Sequence, residues 1–520
     1  MKIHSHPIFR PAFFCGLLAA SLSLTSANAQ LTWDPNGAAI PDPSDGAGNW
    51  TNATAWYDGA GGHGAWVAGS QAVFGAGGDA GIVNLQGTTQ SVSGLQFNGA
   101  NLGSTSTNDT LIAYRFTNGT ISIANGGTID IRTGASSAQT DDRVRFDTAL
   151  SGNNISISST SLGSATAFVR LGGSNSWTGN LTLAGSAGGQ FIEVLTPSAI
   201  SNLNKITAGN GTTLALASSG GTFSGPQIEI QGTGSSGRAA LRIDANSTIE
   251  NQISLAANAR IGTNNSNVTA VITGSITGAF QLDQNAGGTT AVGTIIYYGT
   301  NNFSELQVTK GNAQIGAGTA GSTTADVTVN GASAILSGTG TITGAVNVTT
   351  GVLRPGDRGS ESGIAGAGTG IGTLAVVGDT TFNPTIRAVT AEFQLGSIFS
   401  DQLSITGNLN LNGESDMSNL FTLGYSPTEG DTWDIITFTG LLTDGGFDIG
   451  TNLRTGADSD ANEGNLDLPD VSADGLVWEV SLGNGALTAT LVPEPSAVVL
   501  LSSAGVLLGF RRRRNPPVAG

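Results

Sequence analysis

Short segments in which apolar and polar residues alternate recur from residue 32 to about residue 490, and glycine- or asparagine-rich turns separate them. Alternation with a period of two is typical of β-strands that bury one face. Glycine accounts for 78 of the 520 residues, and it supplies the positive φ angles that tight turns require. The sequence therefore predicts an all-β protein. Clear strand segments are 120–123, 180–183, 227–230, 326–329 and 403–411.

Many short strands at roughly even spacing fit a β-sandwich, a β-propeller or a β-solenoid. Isoleucine, valine, leucine and alanine dominate the inward positions, and serine and threonine dominate the outward ones. Stacked coils need small turns that superimpose and β-branched residues inside, and this chain has both. Linkers and separate cores, as in a row of sandwiches, are not evident. We therefore predict a parallel β-helix with coils of roughly 20 residues, on the order of 20 in number.

The charge of the chain limits its partners. Charged residues make up only 11% of the sequence, and the formal net charge is −17. Without the N-terminal leader and the C-terminal arginine cluster described below, 14 basic residues stand against 37 acidic ones, a net charge of −23. Nucleic acid is excluded as an expected partner, because phosphate binding needs a basic surface. Anionic polysaccharide would be repelled unless divalent cations bridge the two.

The N-terminus has the three parts of a secretory signal peptide. Lys2 and Arg10 precede an apolar run at 12–24, and Ala27 and Ala29 provide the small residues of a cleavage site before Gln30. The run is short for a membrane anchor, which needs about 20 residues. The only cysteine lies in this leader, so the exported chain is expected to be stable without disulfides.

The C-terminus ends in a motif, an apolar stretch and a basic cluster. Pro493, Glu494 and Pro495 precede an apolar segment at 497–510, which predicts a short transmembrane helix. Four arginines then favour a cytoplasmic end: Arg511, Arg512, Arg513 and Arg514. This order resembles the PEP-CTERM sorting signal of Gram-negative bacteria. The resemblance implies that a membrane-embedded exosortase recognises the motif and removes the tail, whereas an ordinary tail anchor would not need Pro-Glu-Pro.

Several segments resemble proteins built from autotransporter-associated β-strand repeats. A tryptophan-rich opening spans 31–75, and one repeat reads LGGSNSWTGNLTL at 171–183. The segment 336–357 carries LSGTGTITG and ends in a Pro-Gly step, as the family's repeat arrays do. The segments 372–374, 401–403 and 430–433 resemble the family's terminal passenger region. The resemblance implies a right-handed parallel β-helix that is exported to the cell surface or the medium.

These features divide the chain into five parts. The first is the signal peptide and the last is the sorting signal, with a transmembrane helix and an arginine cluster. Between them lie an aromatic capping region, the β-helical repeats and a β segment with an acidic loop. Their bounds are 1–29, 30–80, 81–445, 446–491 and 492–520.

The tryptophans near the start of the mature chain have two interpretations. Trp33, Trp50, Trp56 and Trp66 could stack on sugars, but we expect them to close the open end of the solenoid, because an uncovered strand edge invites aggregation. His63 is the only histidine after the leader. Its glycine-rich surroundings predict an exposed structural residue rather than a catalytic base.

Catalytic groups are sparse. Glycosidases and polysaccharide lyases on β-helices use paired carboxylates, but the acids here are scattered. Asp141 and Asp142 precede Arg143, which predicts a surface ion-pair patch. Lys205 and Lys310 are isolated, whereas a lyase needs a basic residue with a lowered pKa. The sequence predicts no enzyme, and a carbohydrate-active enzyme stays open as the alternative.

One acidic run leaves a second alternative open. Asp458, Asp460 and Glu463 begin a series of carboxylates whose oxygens could hold calcium. The spacing misses the EF-hand pattern by one residue, so a solvated loop is the simpler interpretation. We otherwise expect no cofactor. If calcium does bind here, the protein could be a calcium-dependent glycan-binding protein.

The sequence as a whole predicts a non-enzymatic exported protein with an adhesive or scaffolding role in the envelope or biofilm polymer. Its expected partners are the secretion machinery, an exosortase and extracellular polysaccharide. Its expected route runs through an inner-membrane intermediate, held by the C-terminal helix, to the surface or matrix of a Gram-negative bacterium.

Overall fold

The computed structural model describes residues 29–37, 43–77, 80–98, 114–133, 141–161, 166–185, 189–285, 293–318, 320–357, 370–397, 400–422, 425–456 and 464–495. These residues form an all-β fold, which confirms the predicted fold class, and none of them lies in an α-helix. Single turns of 3₁₀ helix occur at Pro197–Ala199, Ser235–Gly237 and Ser472–Asp474. No helix in the described ranges is long and apolar enough to span a bilayer. The segment 497–510, predicted as a transmembrane helix, lies outside these ranges.

The strands are short and numerous. The N-terminal region contains β1 (Gln30–Trp33), β2 (Gly48–Asn49), β3 (Trp56–Tyr57), β4 (His63–Gly64) and β5 (Gln71–Phe74). The strands that follow as far as residue 216 are β6 (Ile82–Val92), β7 (Gly94–Asn98), β8 (Tyr114–Ile123), β9 (Thr128–Thr133), β10 (Asp141–Phe146), β11 (Ala149–Ser151), β12 (Asn153–Ser161), β13 (Thr166–Leu171), β14 (Thr178–Ala184), β15 (Gln190–Val194), β16 (Lys205–Ala208) and β17 (Thr212–Leu216).

The middle of the chain continues the series. Its strands are β18 (Gly221–Phe223), β19 (Gln227–Gly232), β20 (Leu241–Ile243), β21 (Ser247–Ile249), β22 (Ile253–Thr263), β23 (Thr269–Ile272), β24 (Ile276–Thr277), β25 (Gln281–Gln284), β26 (Thr294–Tyr297), β27 (Thr300–Val308), β28 (Gly311–Ile315), β29 (Ser322–Val329), β30 (Ala334–Gly338), β31 (Thr341–Thr343), β32 (Val346–Val348) and β33 (Val352–Pro355).

The C-terminal strands complete it. They are β34 (Thr373–Val377), β35 (Thr380–Phe382), β36 (Ala388–Leu395), β37 (Gln402–Ile405), β38 (Leu409–Asn412), β39 (Ser415–Phe421), β40 (Thr432–Phe438), β41 (Leu442–Gly445), β42 (Leu453–Arg454), β43 (Leu466–Asp467), β44 (Leu476–Gly483) and β45 (Ala486–Pro493).

The strands between the two ends pair in parallel and build three columns. The first column contains β7, β9, β12, β14, β16, β19, β22, β24, β27, β29, β31, β34, β37 and β40. The second contains β8, β10, β13, β15, β17, β20, β22, β25, β27, β29, β32, β35, β38 and β41. The third contains β18, β21, β23, β26, β28, β30, β33, β36, β39 and β43.

From β16 onward the chain visits the three columns in turn, and each circuit is called a coil below. This arrangement is consistent with a β-solenoid-like fold. Aligned residues of successive coils are 22 positions apart at Ile206 and Ile228 and 25 apart at Ile228 and Ile253. The extremes are 17, at Ile335 and Val352, and 49, at Met417 and Leu466. Most spacings exceed the predicted coil of about 20 residues, because the turns between the three strands of a coil are often long.

In the interior, apolar side chains at the same register position of successive strands stack on one another. In the first column Leu181, Ile206, Ile228, Ile253 and Ile276 follow one another in register and are at most 1% exposed. The strand repeat of about 4.8 Å brings each side chain into contact with the one above and below it. Each such burial contributes about 1.5–3 kcal/mol, so the stability of the body is spread along its length.

Candidate functional site

The predicted sorting motif lies at the C-terminal end of the folded region. Strands β44 and β45 form an antiparallel hairpin, and β45 also pairs antiparallel with β40, the last strand of the first column. Asn484 and Gly485 make the hairpin turn with φ angles of 50° and 86°, which asparagine and glycine tolerate best. The parallel stack therefore ends in an antiparallel closure, and the motif follows directly from it.

The three motif residues are exposed, but the chain is held in place as far as Glu494. Pro493 closes β45 opposite Leu476, and the Glu494 backbone N–H donates to the carbonyl of Gly475 at 3.1 Å. Leu491, two residues before Pro493, is completely buried. The side chains of Pro493, Glu494 and Pro495 are therefore exposed to solvent, while the backbone before them is held by the β44–β45 hairpin.

An aromatic cluster beneath the hairpin fixes this closure. Trp478 on β44 is completely buried, and its indole N–H donates to the carbonyl of Pro469 at 2.8 Å. Trp433 on β40 lies 5.5 Å from Trp478, and Phe421 stacks on Trp478 at 5.8 Å. This cluster was not predicted from the sequence. Six of the 58 residues from Phe421 to Trp478 are aromatic, against 6% of the whole chain, and this enrichment was the available signal.

A tyrosine–aspartate contact holds the loop before β40. The Tyr425 hydroxyl donates to Asp431, which also accepts from the backbone N–H and the hydroxyl of Thr428, both at 2.8 Å. Burial, reinforced by Asp431, raises the pKa of Tyr425 above its ordinary value. Burial works against the charge on Asp431, but the hydrogen bonds from Tyr425 and Thr428 outweigh it and lower the pKa of this carboxyl below 3.8.

Replacement Asp431→Asn should lower the free energy of unfolding at neutral pH by about 1 kcal/mol, the scale of a solvent-screened hydrogen bond to a charged group. A lowered folded-state pKa stabilises the protein above the unfolded-state value, and this stabilisation is lost as the pH falls through the folded-state value. The two proteins should therefore converge in acid. Thermal unfolding from about pH 7 to about pH 3 measures this, and a constant gap between them would contradict the assignment.

The predicted signal-peptide cleavage site lies at the other end of the folded region. Ala27 is outside the described residues. Ala29 is exposed, and its carbonyl accepts from the backbone N–H of Gln71 at 2.9 Å, directly before β1. The first described strand, β1, thus begins at the residue after the predicted cleavage.

The four N-terminal tryptophans form one cluster. Trp33, Trp50 and Trp56 are at most 1% exposed, and Trp66 packs against Trp56 with ring centroids 4.6 Å apart. Strands β1, β3 and β4 pair antiparallel beside the first parallel pair, β1 and β5. The cluster lies where the parallel stack begins, which is the place that the capping interpretation requires.

His63 was predicted to be exposed, and this prediction was wrong. The residue lies on β4, its side chain is 15% exposed, and its Nε2 is 2.7 Å from a carboxylate oxygen of the buried Asp34. The Tyr57 ring is 5.4 Å away. The pair contains the imidazole and the acid of a triad, and its contacts tie β4 to β3 and to Asp34, the residue directly after β1.

The other candidate residues fall into three groups. Lys205 pairs with Glu229 at 2.9 Å. The side chains of Asp141, Asp142 and Arg143 are outside the described part of the structure, although Arg145 pairs with Asp147 at 2.7 Å. Also outside it are Asp458, Asp460, Glu463 and the four terminal arginines, Arg511, Arg512, Arg513 and Arg514. Within the described ranges, no group of three or more histidine, cysteine, aspartate or glutamate side chains could hold a metal ion.

Comparisons with known proteins add no relatives. No family model matches the chain, and no curated protein is significantly similar to it. The fold therefore defines the class, an all-β protein with parallel columns and antiparallel ends.

Proposed function

We propose that this chain is a non-enzymatic exported protein of the cell surface or extracellular matrix, built as a right-handed parallel β-helix. It passes through an inner-membrane intermediate, held by the segment 497–510, and an exosortase sorts it at Pro493, Glu494 and Pro495. Adhesion or scaffolding in the envelope polymer is its role. The exposure of the motif at the end of the last described strand carries this proposal.

Two observations at the ends support the export route. The first described strand starts at Gln30, immediately after the predicted cleavage site, and the last described strand ends at Pro493. Cleavage at the two predicted sites would leave the N-terminal tryptophan cluster and the aromatic cluster beneath the C-terminal hairpin intact. The order of the C-terminal features in the sequence supplies the rest of the support.

The use of the carboxylates supports a non-enzymatic body. Glu193, Glu229 and Asp244 each pair with a basic side chain within 2.9 Å, and Asp431 orders a loop. A glycosidase needs two carboxylates that face one substrate across a groove. Glu193 and Glu229 instead join neighbouring strands, and Asp244 pairs with Arg242 two residues before it, as in a rigid scaffold.

Sorting is tested with the triple variant Pro493→Ala, Glu494→Ala and Pro495→Ala in a Gram-negative host that has an exosortase. We expect the wild-type protein to lose its tail and reach the surface or medium. We expect the variant to stay at full length in the inner membrane, because the protease loses its recognition motif. Fractionation and mass spectrometry measure both.

The matched control is Pro427→Ala with Glu429→Ala, which removes the same residue types from a neighbouring loop and should be sorted normally. The altered side chains of the triple variant are exposed, so its melting temperature should stay at the wild-type value. Unchanged size and location of the triple variant would refute the sorting proposal.

A further inference from the structure

The last residues of β45 continue beyond one of the two strands that flank it. β40 pairs with β45 as far as Thr490, whereas β44 pairs with it as far as Pro493. On the β40 side the Leu491 N–H also donates to the carbonyl of Asp431 at 2.8 Å. Residues 492–494 follow this contact and lie against the β44 side. We call residues 492–494 the strap.

The backbone of the strap is hydrogen-bonded along β44. The Glu494 N–H donates to the carbonyl of Gly475 at 3.1 Å, and Val492 is the register partner of Val477. Opposite residues of an antiparallel pair alternate between bonded and non-bonded pairs. Because Glu494 and Gly475 continue the register and are bonded, Val492 and Val477, two positions away, belong to the bonded class as well.

A protease that binds the motif needs the same backbone groups. An extended peptide that is bound as an added strand uses its own N–H and C=O groups for the main-chain hydrogen bonds, and its alternate side chains enter pockets. In the strap, the side chains of Pro493 and Glu494 are exposed, but the Glu494 N–H is already bonded to Gly475. The pairing with β44 and binding in a protease cleft therefore compete for one stretch of backbone.

The chain between the strap and the apolar segment 497–510 is short. Three residue steps lead from Glu494 to residue 497, and an extended chain covers at most about 10 Å in three steps. If the strap is released, six steps lead from Leu491 to residue 497, which is about 20 Å. Release of the strap therefore doubles the length of free chain that can enter an active site at the membrane.

Burial changes sharply at the start of the strap. Val492 is half-buried, and Pro493 and Glu494 are exposed, whereas Leu491 and its register partner Trp478 are completely buried. Local opening is easiest where few apolar contacts are lost. Opening of the strap thus stops at Leu491, and the rest of the hairpin stays folded on the aromatic cluster beneath it.

We propose that the strap leaves β44 before an exosortase binds Pro493, Glu494 and Pro495, so that the tail is removed only from the open form of the hairpin. The rate of tail removal then follows the population of the open form, as in other cleavage reactions that require local opening. The inference rests on the proposed function, because it concerns the same motif and the same protease.

The test is a reversible cross-link across the strap, made with Val477→Cys and Val492→Cys in the full-length chain. The Cα atoms of bonded partners lie about 5.5 Å apart, which suits a disulfide. The only natural cysteine, Cys15, lies in the predicted signal peptide. In a host with an exosortase, we expect the oxidised variant to lose its tail about tenfold more slowly than the wild type, or not at all, because its strap cannot open. Dithiothreitol should restore the wild-type rate, and mass spectrometry of the membrane fraction over time measures both.

The matched control is Ser481→Cys with Thr488→Cys, which places the same cross-link between register partners at the turn end of the same hairpin. Its strap stays free to open, so its tail should be removed at the wild-type rate with or without reduction. Wild-type removal from the oxidised strap variant, equal protection of the control, or no recovery after reduction would overturn the inference. A wild-type protein that keeps its tail would instead refute the proposed sorting, so the two failures are distinguishable.

Discussion

Deletion of residues 253–275, one complete coil, is expected to leave a folded protein with nearly the wild-type melting temperature. Each coil contacts only its two neighbours, so removing one costs a single interface and leaves every other one intact. In a sandwich or a propeller the same deletion would remove strands from a closed core. The result therefore tests whether the body is the proposed parallel β-helix.

The new junction preserves the register. The Ile228 N–H donates to the carbonyl of Gln252 at 2.8 Å, and the Ile253 N–H donates to that of Ser275 at 2.9 Å. Joining Gln252 to Ile276 puts Ile276 in the place of Ile253. Six residues after Ile253 and Ile276 lie Ala259 and Leu282, which are register partners in the native protein. In the deletion variant, Leu282 takes the place of Ala259. Apolar residues thus replace apolar residues on the inner side.

The control deletion removes residues 253–276, one residue more. A shift of one position turns every side chain to the opposite face of a strand. Thr277 would then replace Ile253, and Asp283 would enter the interior in place of Ala259. Burying one unpaired carboxylate costs several kcal/mol, so this variant should be unfolded at room temperature. Circular dichroism and thermal melts compare the two, and a similar loss of structure in both would contradict the coil assignment.

The sequence predicted the strands well because the information needed is local. Alternation at Asn180–Leu183 depends only on which side chains face inward, and the structure buries Leu181 and Leu183 while Thr182 stays exposed. The length of the coil was not predictable in the same way. Turns such as the one between Gly232 and Leu241 vary freely on the surface, so no constant period is written into the chain.

Long-range contacts explain what the sequence analysis missed. His63 and Asp34 are 29 positions apart, and only the antiparallel strands β1, β3 and β4 bring them together. The alignment of Arg115, Arg145 and Arg170 at one register position of the second column depends on strand pairing in the same way. Thirty positions separate Arg115 from Arg145, and 25 separate Arg145 from Arg170. An uneven period conceals such a row until the strand pairing is known.

Replacement Trp56→Ala is expected to lower the free energy of unfolding by about 3–5 kcal/mol, the usual cost of emptying a buried aromatic site. The Trp56 ring lies 5.1 Å from that of Trp33 and 4.7 Å from that of Trp50. If the cluster closes the stack, its loss should also uncover the strand edges beneath it, and uncovered edges associate. Denaturant unfolding measures the first effect, and light scattering over a range of concentrations measures the second.

Trp177 separates capping from ordinary core packing. It is completely buried in the middle of the body, and its indole N–H donates to the Ala199 carbonyl at 2.8 Å, as that of Trp56 does to the Trp50 carbonyl at 3.0 Å. Trp177→Ala should therefore cost as much stability but leave a monomer, since coils cover it on both sides. Equal association of the Trp56→Ala and Trp177→Ala variants would contradict the capping role. In that case the loss of the N-terminal cluster would expose strand edges no more than the loss of an ordinary core residue does.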